Sequence, residues 1–334
     1  MSIASILPRR AAFLLALALI ACAAVELRGR TAAAAVKPFD PGKLDFSVRV
    51  GRGAEAESSS YRTMAFFLLP EAPLELEIEG ADKAAAFTLT SGLELQKRGG
   101  RRYTGKAPST PGIYPVVVER AADHVGMRLL LIVLVPSGSV QNGKLGGYEI
   151  GDYPGPPLKG NPIYIPPAGF VQVTKENADT ELAPHFTLRQ FLCKQAGEYP
   201  KYLVLTTRLL RKLELLLEKA NAAGFRTDRF AVLSAYRTPT YNAAIKDVLF
   251  SRHQWGDAAD IYIDEDGDGA MDDLDGNGRS DLGDAMVLYD LVERMSPEDW
   301  YKGFEGGLGS YPKTANHGPF IHVDCRGFRA RWSG

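Results

Sequence analysis

The chain is short of the residues that mark disulfide-rich and nucleic-acid-binding proteins. Its 334 residues include three cysteines and five histidines. No long basic run and no basic patch interleaved with aromatic residues is present, which argues against nucleic acid as a partner. Of 39 basic and 40 acidic residues, one base and nine acids lie within residues 264–284, which leaves 38 basic and 31 acidic residues elsewhere. This mildly basic remainder suits an anionic polymer.

An apolar run long enough to cross a bilayer comfortably is missing at the N-terminus. The run there extends from Ala11 to Ala24 after two arginines, which predicts an export signal over residues 1–36 and a location in the periplasm or cell envelope. Its end, Leu19-Ile20-Ala21-Cys22, resembles the lipobox of bacterial lipoproteins. A lipid on Cys22 would hold the chain at a membrane face. Cleavage within Ala32–Ala35 or retention of the run as an anchor are the alternatives.

Residues 37–136 predict a β-rich first domain, since a chain of this length has room for about two domains. Nothing in this region assembles a catalytic set, so we interpret it as a spacer or docking module. Its strand pattern and turn residues are typical of a small immunoglobulin-like sandwich. The apolar or alternating runs that predict strands are Phe46–Val50, Met64–Leu69, Leu74–Ile78, Ala86–Leu89, Tyr114–Glu119 and Met127–Val135.

Residues 137–184 predict a linker rich in proline and glycine. Their apolar residues follow neither the period of a strand nor that of a helix. A connection of this length rarely stays free in a compact protein, so we expect it to pack along the domain that follows.

Residues 185–334 predict an α+β domain. A helix over Lys201–Ala223 would place its leucines on one face and Arg208, Arg211 and Lys212 elsewhere. The other predicted elements are a strand at Phe230–Leu233, helices at Tyr241–Leu249 and Ala285–Met295, and strands at Ile261–Ile263 and Phe320–Val323.

The most informative pattern is Ser-x-His-x-x-Gly-x-Ala-x-Asp over Ser251–Asp260, followed by His-x-Asp at residues 322–324. His253, Asp260 and His322 would supply the three protein ligands of a catalytic zinc, with the fourth position left for water. The small residues between the first two ligands would let the backbone pass close to the metal, and Asp260 is expected at a strand start. The alternative is a capped turn that enters a strand, with His253 an ordinary core residue.

Together with Ser234-Ala235-Tyr236-Arg237 and Gly306-Gly307-Leu308-Gly309, this pattern resembles the zinc D-Ala-D-Ala carboxypeptidase family, peptidase family M15 with its murein endopeptidase relatives. The resemblance covers residues from about His185 onward. It implies a small antiparallel sheet with flanking helices, a zinc cofactor, and peptidoglycan stem peptides as substrate and partner. The bond that is cut stays open.

Arg237 is the next candidate for a catalytic role. A guanidinium beside zinc can hold a substrate carboxylate or stabilise a developing oxyanion, and the matching arginine of the resembled family has such a role. The alternative is a surface arginine paired with an acid. The proton-transfer group is less well defined, because the chain lacks the His-x-His ending and the glutamate found in many family members. The candidates are Asp324, His317 and Glu305.

Two assignments of the final motif are open. In the first, His322 binds the metal and Asp324 orients it or acts as the base. In the reverse assignment, Asp324 binds zinc and His322 is the base.

The acidic insert at residues 264–284 predicts a second metal site. Oxygen-bearing side chains recur at EF-hand spacing, with glycine at the sixth position, in two overlapping loops that cannot both be complete. This predicts a tandem calcium arrangement, and a solvated acidic loop is the alternative. The candidate calcium ligands are Asp264, Asp266, Asp268, Asp272, Asp273, Asp275, Asn277, Asp281 and Asp284.

Cys193 and Cys325 remain if Cys22 is lipidated or removed. In an oxidising compartment they could form a disulfide that pins the last metal motif, or stay as two thiols. A zinc-ligand role is not expected for either.

Three classes of function follow from these patterns. The first is a zinc peptidase that hydrolyses stem-peptide amides with a metal-activated water, as a D,D-carboxypeptidase or a cross-link endopeptidase. The second is a cell-wall binding module that keeps the metal without turnover. The third is a zinc amidohydrolase or protease with another exported substrate.

Overall fold

Two β-sheets make up the first part of the chain in this computed structural model, which describes residues 38–53, 56–80, 82 and 84–334. The expected export signal, including Cys22, lies outside the described residues. The strands of the two sheets are β1 (Lys43–Val50), β2 (Glu57–Tyr61), β3 (Thr63–Leu68), β4 (Pro73–Gly80), β5 (Phe87–Ser91), β6 (Gln96–Lys97), β7 (Arg102–Lys106), β8 (Gly112–Arg120) and β9 (Gly126–Val133). One sheet has the order β2-β1-β4-β7-β6 and the other β3-β9-β8-β5.

The two sheets share an apolar core that follows from strand alternation. Along β1, Phe46, Val48 and Val50 are buried, while Arg49 faces outward and pairs with Glu79 at 2.8 Å. Phe46 contacts Phe87 of the opposite sheet at 4.9 Å between ring centroids. The six strands predicted from apolar runs are confirmed, whereas β2, β6 and β7 were not predicted because they carry few apolar residues.

The segment between the all-β part and the first helix contains loops, short 3-10 helices and seven short strands: β10 (Val135–Pro136), β11 (Lys144–Leu145), β12 (Tyr148–Glu149), β13 (Gly169–Val173), β14 (Glu181–Ala183), β15 (Phe186–Thr187) and β16 (Lys201–Leu203). β10, β13 and β16 form one sheet. Residues 39–334 cluster as one compact unit, so this segment belongs to the same unit as the parts before and after it.

The helix-containing part has α1 (Thr207–Ala222), α2 (Pro239–Ala244) and α3 (Leu282–Met295). The predicted start of the first helix at Lys201 is wrong, because Lys201–Leu203 pairs with β13 as a strand. The helix begins after Thr206, whose hydroxyl accepts from the Leu209 amide at 3.2 Å. The second helix also ends earlier than predicted, since the left-handed backbone at Lys246, with φ of 58°, cannot continue it. Among the described residues, no helix is both long and apolar enough to cross a membrane.

Contrary to the prediction, Lys212 does not lie on an exposed polar face of α1. Its side chain is buried, and its ammonium donates to the carbonyls of Phe304 at 3.0 Å and Asp324 at 2.7 Å. The cation also lies 5.0 Å from the ring centroid of Tyr301. Lys212 therefore ties the helix to the strand that carries the final metal motif.

The last sheet consists of β17 (Ala231–Ser234), β18 (Ala258–Tyr262), β19 (Gly307–Tyr311), β20 (Phe320–Asp324) and β21 (Ala330–Ser333). Its order is β17-β18-β20-β19-β21, and all neighbours are antiparallel except β19 and β21. Asp260 lies in the middle of β18 and not at the predicted strand start. The fold is thus a mixed α+β structure, mostly strands with few helices, in which an all-β region precedes a helix-containing part.

Candidate metal centre

Strand register brings the predicted metal ligands together. Asp260 on β18 lies directly opposite His322 on β20, so both side chains leave the same face of the sheet. His253 comes from a short 3-10 turn, Arg252–Trp255, that precedes β18. All three side chains are buried, and their ligand atoms lie within 4.8 Å of one another.

The spacing of these atoms fits a single tetrahedral ion. His253 Nε2 lies 3.2 Å from Asp260 Oδ1 and 3.1 Å from His322 Nδ1, and His322 Nδ1 lies 3.0 Å from Asp260 Oδ1. Ligand atoms at ordinary zinc distances and tetrahedral angles are about 3.3 Å apart. Two imidazole nitrogens and one carboxylate oxygen are also a ligand set that zinc accepts. The residues present therefore fit this metal.

Each imidazole is oriented through its other ring nitrogen. His253 Nδ1 lies 2.6 Å from the Ala235 carbonyl oxygen, which can only accept, so this nitrogen donates and Nε2 is directed at the centre. His322 Nε2 lies 3.1 Å from Asp324 Oδ2, which leaves Nδ1 for the centre. Outer hydrogen bonds of this kind fix the ring of a metal-binding histidine.

Asp324 is held from several sides and lies one step away from the three ligands. Its Oδ1 accepts from the Gly307 amide at 2.7 Å and from the Arg326 amide at 3.0 Å. The Arg326 guanidinium donates to Oδ2 at 2.9 Å from Nε and 2.5 Å from Nη2. A Cβ atom on Gly307 would lie 2.3 Å from Asp324 Oδ2. This close approach explains why residue 307 in the Gly306–Gly309 element is a glycine.

Gly256 is required for a different reason from the predicted one. Its φ is 67°, and a Cβ atom there would lie 2.1 Å from the Val204 carbonyl oxygen. The glycine therefore lets the turn that carries His253 pack on the chain before α1. Its backbone contact is with Val204.

Arg237 contacts the centre from the side of Asp260. Its Nη2 donates to Asp260 Oδ2 at 2.6 Å, its Nη1 to Asp247 Oδ2 at 2.7 Å, and its Nε to Ser234 Oγ at 2.9 Å. Asp260 thus presents one oxygen to the histidines and the other to a guanidinium, which fixes its rotamer.

The charges in this cluster shift the protonation of its members. Burial alone would raise the pKa of Asp260, but the adjacent His253 and His322 hold it well below its usual range. Burial lowers the pKa of His253. For His322 burial also lowers the pKa, yet hydrogen bonds to Asp260 and Asp324 outweigh this effect and raise it to about 9. The carboxylates of Asp260 and Asp324, which accept from this ring, therefore favour a positive charge at His322.

The centre lies in a cleft of about 790 Å³, large enough for a small-molecule or peptide segment. His317 lines this cleft, with its Nδ1 2.8 Å from the Gly318 carbonyl oxygen. Glu305 lies outside the set of lining residues. Asp247, Arg326 and Trp332 also line the cleft, and sequence reasoning missed them because none belongs to a recognisable ligand pattern.

The turn with His253 is supported by the segment that was predicted as a linker. Arg252 Nη1 donates to the Ile163 carbonyl at 2.7 Å, and Trp255 Nε1 donates to the Ile165 carbonyl at 2.9 Å. The Tyr153 hydroxyl donates to the Gln254 carbonyl at 2.9 Å. Three residues that flank the ligand, Arg252, Gln254 and Trp255, are therefore fixed by one distant segment.

The acidic insert gathers part of the predicted calcium set into two clusters. Asp264, Asp266 and Asp272 form one, and Asp273, Asp275 and Asp284 form the other, each close enough to hold an ion. Glycines at the sixth loop positions have φ of 83° at Gly269 and 80° at Gly278, as an EF-hand turn requires. The remaining three candidates fall outside the clusters. Asp281 caps α3, Asp268 accepts from the Ala270 amide, and Asn277 bonds Asp275.

Cys193 and Cys325 are both free and buried. Burial raises the pKa of Cys193, and that of Cys325 to about 12. A thiol of raised pKa is a poor nucleophile.

In comparisons with known proteins, no family model and no curated protein matches this chain.

Proposed function

We propose that the chain is a zinc-dependent peptidase that hydrolyses stem-peptide amide bonds of peptidoglycan. The observation that carries the proposal is the buried set of His253, Asp260 and His322 at the floor of an open cleft, with ligand atoms 3.0 to 3.2 Å apart. A buried set of this kind open on one side is typical of catalytic zinc, whereas structural zinc sites are closed by a fourth protein ligand.

Zinc held there would supply a Lewis acid and lower the pKa of a bound water. The protein's own part is to bind and orient. Ala235 and Asp324 hold the two imidazoles, and Arg237 holds Asp260. The Arg237 guanidinium also places positive charge beside the cleft, where negative charge would develop on an attacked carbonyl oxygen.

The structure favours one candidate for proton transfer over the others. Asp324 is fully buried behind His322 and is already bonded to Gly307 and Arg326, which supports its role in orienting His322 and His322 as the ligand. His317 lines the cleft and keeps a ring nitrogen free for a substrate. We therefore assign His317 as the residue that moves the proton.

The substrate part of the proposal rests on the family resemblance of residues from His185 onward. It implies a D,D-carboxypeptidase or a cross-link endopeptidase with a fold like that of the M15 peptidases. An exported chain in the periplasm or cell envelope, held by a lipid on Cys22, would meet this substrate. The preceding all-β region would then be an immunoglobulin-like spacer or docking module.

Calcium is the second cofactor that we propose. Nine acids within residues 264–284 repel one another, and the two clusters place three carboxylates each around a common point. Oxygen-only ligands suit calcium. The ion would order the loop that leads from β18 to α3.

The direct test is digestion of purified peptidoglycan by the protein without its first 37 residues, followed by mass spectrometry of the muropeptides. Loss of terminal D-Ala would establish a carboxypeptidase, and loss of cross-linked dimers an endopeptidase. Either activity should disappear with a chelator, return with zinc and be absent in His253→Ala. His124→Ala, which changes an exposed hairpin histidine, is the matched control.

A metal-stabilised wall-binding module is the second candidate. It is favoured by one observation: among the cleft-lining residues, the carboxylates are Asp247 and Asp260, and both already bond Arg237. Retained affinity for peptidoglycan with unchanged muropeptides under every metal condition would select this candidate. Turnover of another exported amide but not of muropeptides would select a different zinc amidohydrolase or protease.

A further inference from the structure

The Arg237 guanidinium uses three of its five N–H groups within the protein, one on each nitrogen. Its three nitrogens donate to Ser234, Asp247 and Asp260 at distances of 2.6 to 2.9 Å. Two carboxylates therefore already surround one positive charge. A substrate carboxylate at Arg237 would face both of them as a like charge.

Asp247 is fixed in this place by its own loop. The loop follows α2, and its Asp247 amide donates to the Asn242 carbonyl at 3.2 Å. Asp247 Oδ1 accepts from the Val248 amide at 2.7 Å, while the Asn242 side chain donates to the Val248 carbonyl at 3.1 Å. The Gln254 side chain also holds the Leu249 carbonyl, at 2.8 Å. A carboxylate held by so many bonds is preorganised and hard to displace.

The other two guanidinium groups of the cleft are also paired with carboxylates. Arg252 pairs with Asp257 at 2.6 Å, and Arg326 pairs with Asp324 at 2.5 Å. Beside these pairs, the exposed loop residues Val248 and Leu249 form an apolar rim. The cleft therefore offers apolar contacts and paired guanidinium groups to a substrate, and Lys246, which lines it without a salt bridge to any described residue, is the exposed cation beside Asp247.

We propose that Asp247 determines specificity by occupying the side of Arg237 that would otherwise receive a substrate's terminal carboxylate. The cleft then takes peptides in which the chain continues past the cleaved bond, or ends in an amide, in preference to peptides with a free carboxylate next to that bond. This inference rests on the proposed peptidase function and selects internal cleavage over carboxypeptidase action.

The test uses two N-acetylated peptides of one sequence that ends in D-Ala-D-Ala, one with a free carboxylate and one with a C-terminal amide. Calorimetry gives Kd and mass spectrometry gives kcat/KM for the wild type and for Asp247→Asn and Asp247→Ala. We expect the wild type to prefer the amide. Both variants should shift the ratio of affinities toward the carboxylate by roughly tenfold, as one charged hydrogen bond allows.

Asp299→Asn is the matched control, because it removes an exposed acid that pairs with Lys302. An unchanged preference in both Asp247 variants, or an equal loss of turnover on both peptides, would overturn the inference, and the second result would make Asp247 a proton-transfer or structural residue. If no peptide is cleaved by any protein, the proposed peptidase fails, but the ratio of the two Kd values still decides whether Asp247 excludes a carboxylate.

Discussion

At the scale of single residues, the orientation of His322 depends on one carboxylate behind it. Asp324 Oδ2 lies 3.1 Å from His322 Nε2, and the carboxylate is itself held by Arg326 and Gly307. An asparagine there would keep the shape but lose the negative charge that raises the basicity of the ring.

We therefore expect Asp324→Asn to weaken zinc binding by about 10- to 100-fold. Competition with a fluorescent chelator measures this affinity, and thermal unfolding verifies that the variant is folded. Asp290→Asn, on the exposed side of α3, should bind zinc like the wild type. Unchanged affinity in a folded Asp324→Asn protein would show that the His322 ring is fixed by other contacts, such as Trp332 at 5.2 Å between ring centroids.

At the scale of elements, Lys212 connects α1 to the site sheet. Its ammonium donates to the carbonyls of Phe304 and Asp324 in the interior. Lys212→Met keeps the length of the side chain but leaves two buried carbonyl oxygens without this donor. We expect a loss of about 2–4 kcal/mol in the free energy of unfolding, measured by urea denaturation.

Lys219→Met on the exposed side of the same helix is the control, and it should cost less than about 1 kcal/mol. If Lys212→Met is as stable as the wild type, the free-energy cost of burying the cation equals the stabilisation that its two hydrogen bonds provide.

At the scale of the whole molecule, the centre connects a turn and the strand that follows it to a strand 62 residues further along the chain. His253, Asp260 and His322 belong to a turn and two strands, so a metal held by all three binds only the folded state. Zinc at a hundredfold excess over its Kd should stabilise the fold by about 2.7 kcal/mol, which raises Tm by roughly 5 °C in a chain of this size.

Scanning calorimetry with and without zinc measures this shift. The shift should be lost in His253→Ala and kept in His124→Ala. A rise of equal size in His253→Ala would locate the stabilising ion elsewhere, with the acidic insert as the first alternative.

The sequence was most informative where local chemistry decides structure. Apolar alternation located the six main strands of the first region, and the spacing of His253, Asp260 and His322 predicted the set that the register of β18 and β20 brings together. The sequence was least informative where contacts with distant segments determine the local structure. The burial of Lys212 depends on carbonyl groups more than ninety residues away, and Lys201–Leu203 becomes a strand because β13 offers it a partner. Neither effect can be predicted from the residues next to these positions in the sequence.

The position of β20 in its sheet also sets the order in which the molecule can mature. β20 lies between β18 and β19 although both precede it in the chain, and it carries His322 and the carboxylate that orients this ligand. During synthesis, β18 and β19 are made before the strand that joins them, and the cleft residues Arg326 and Trp332 follow that strand. A molecule interrupted before His322 would therefore lack the third ligand, and the metal site is complete only once β20 has joined the sheet.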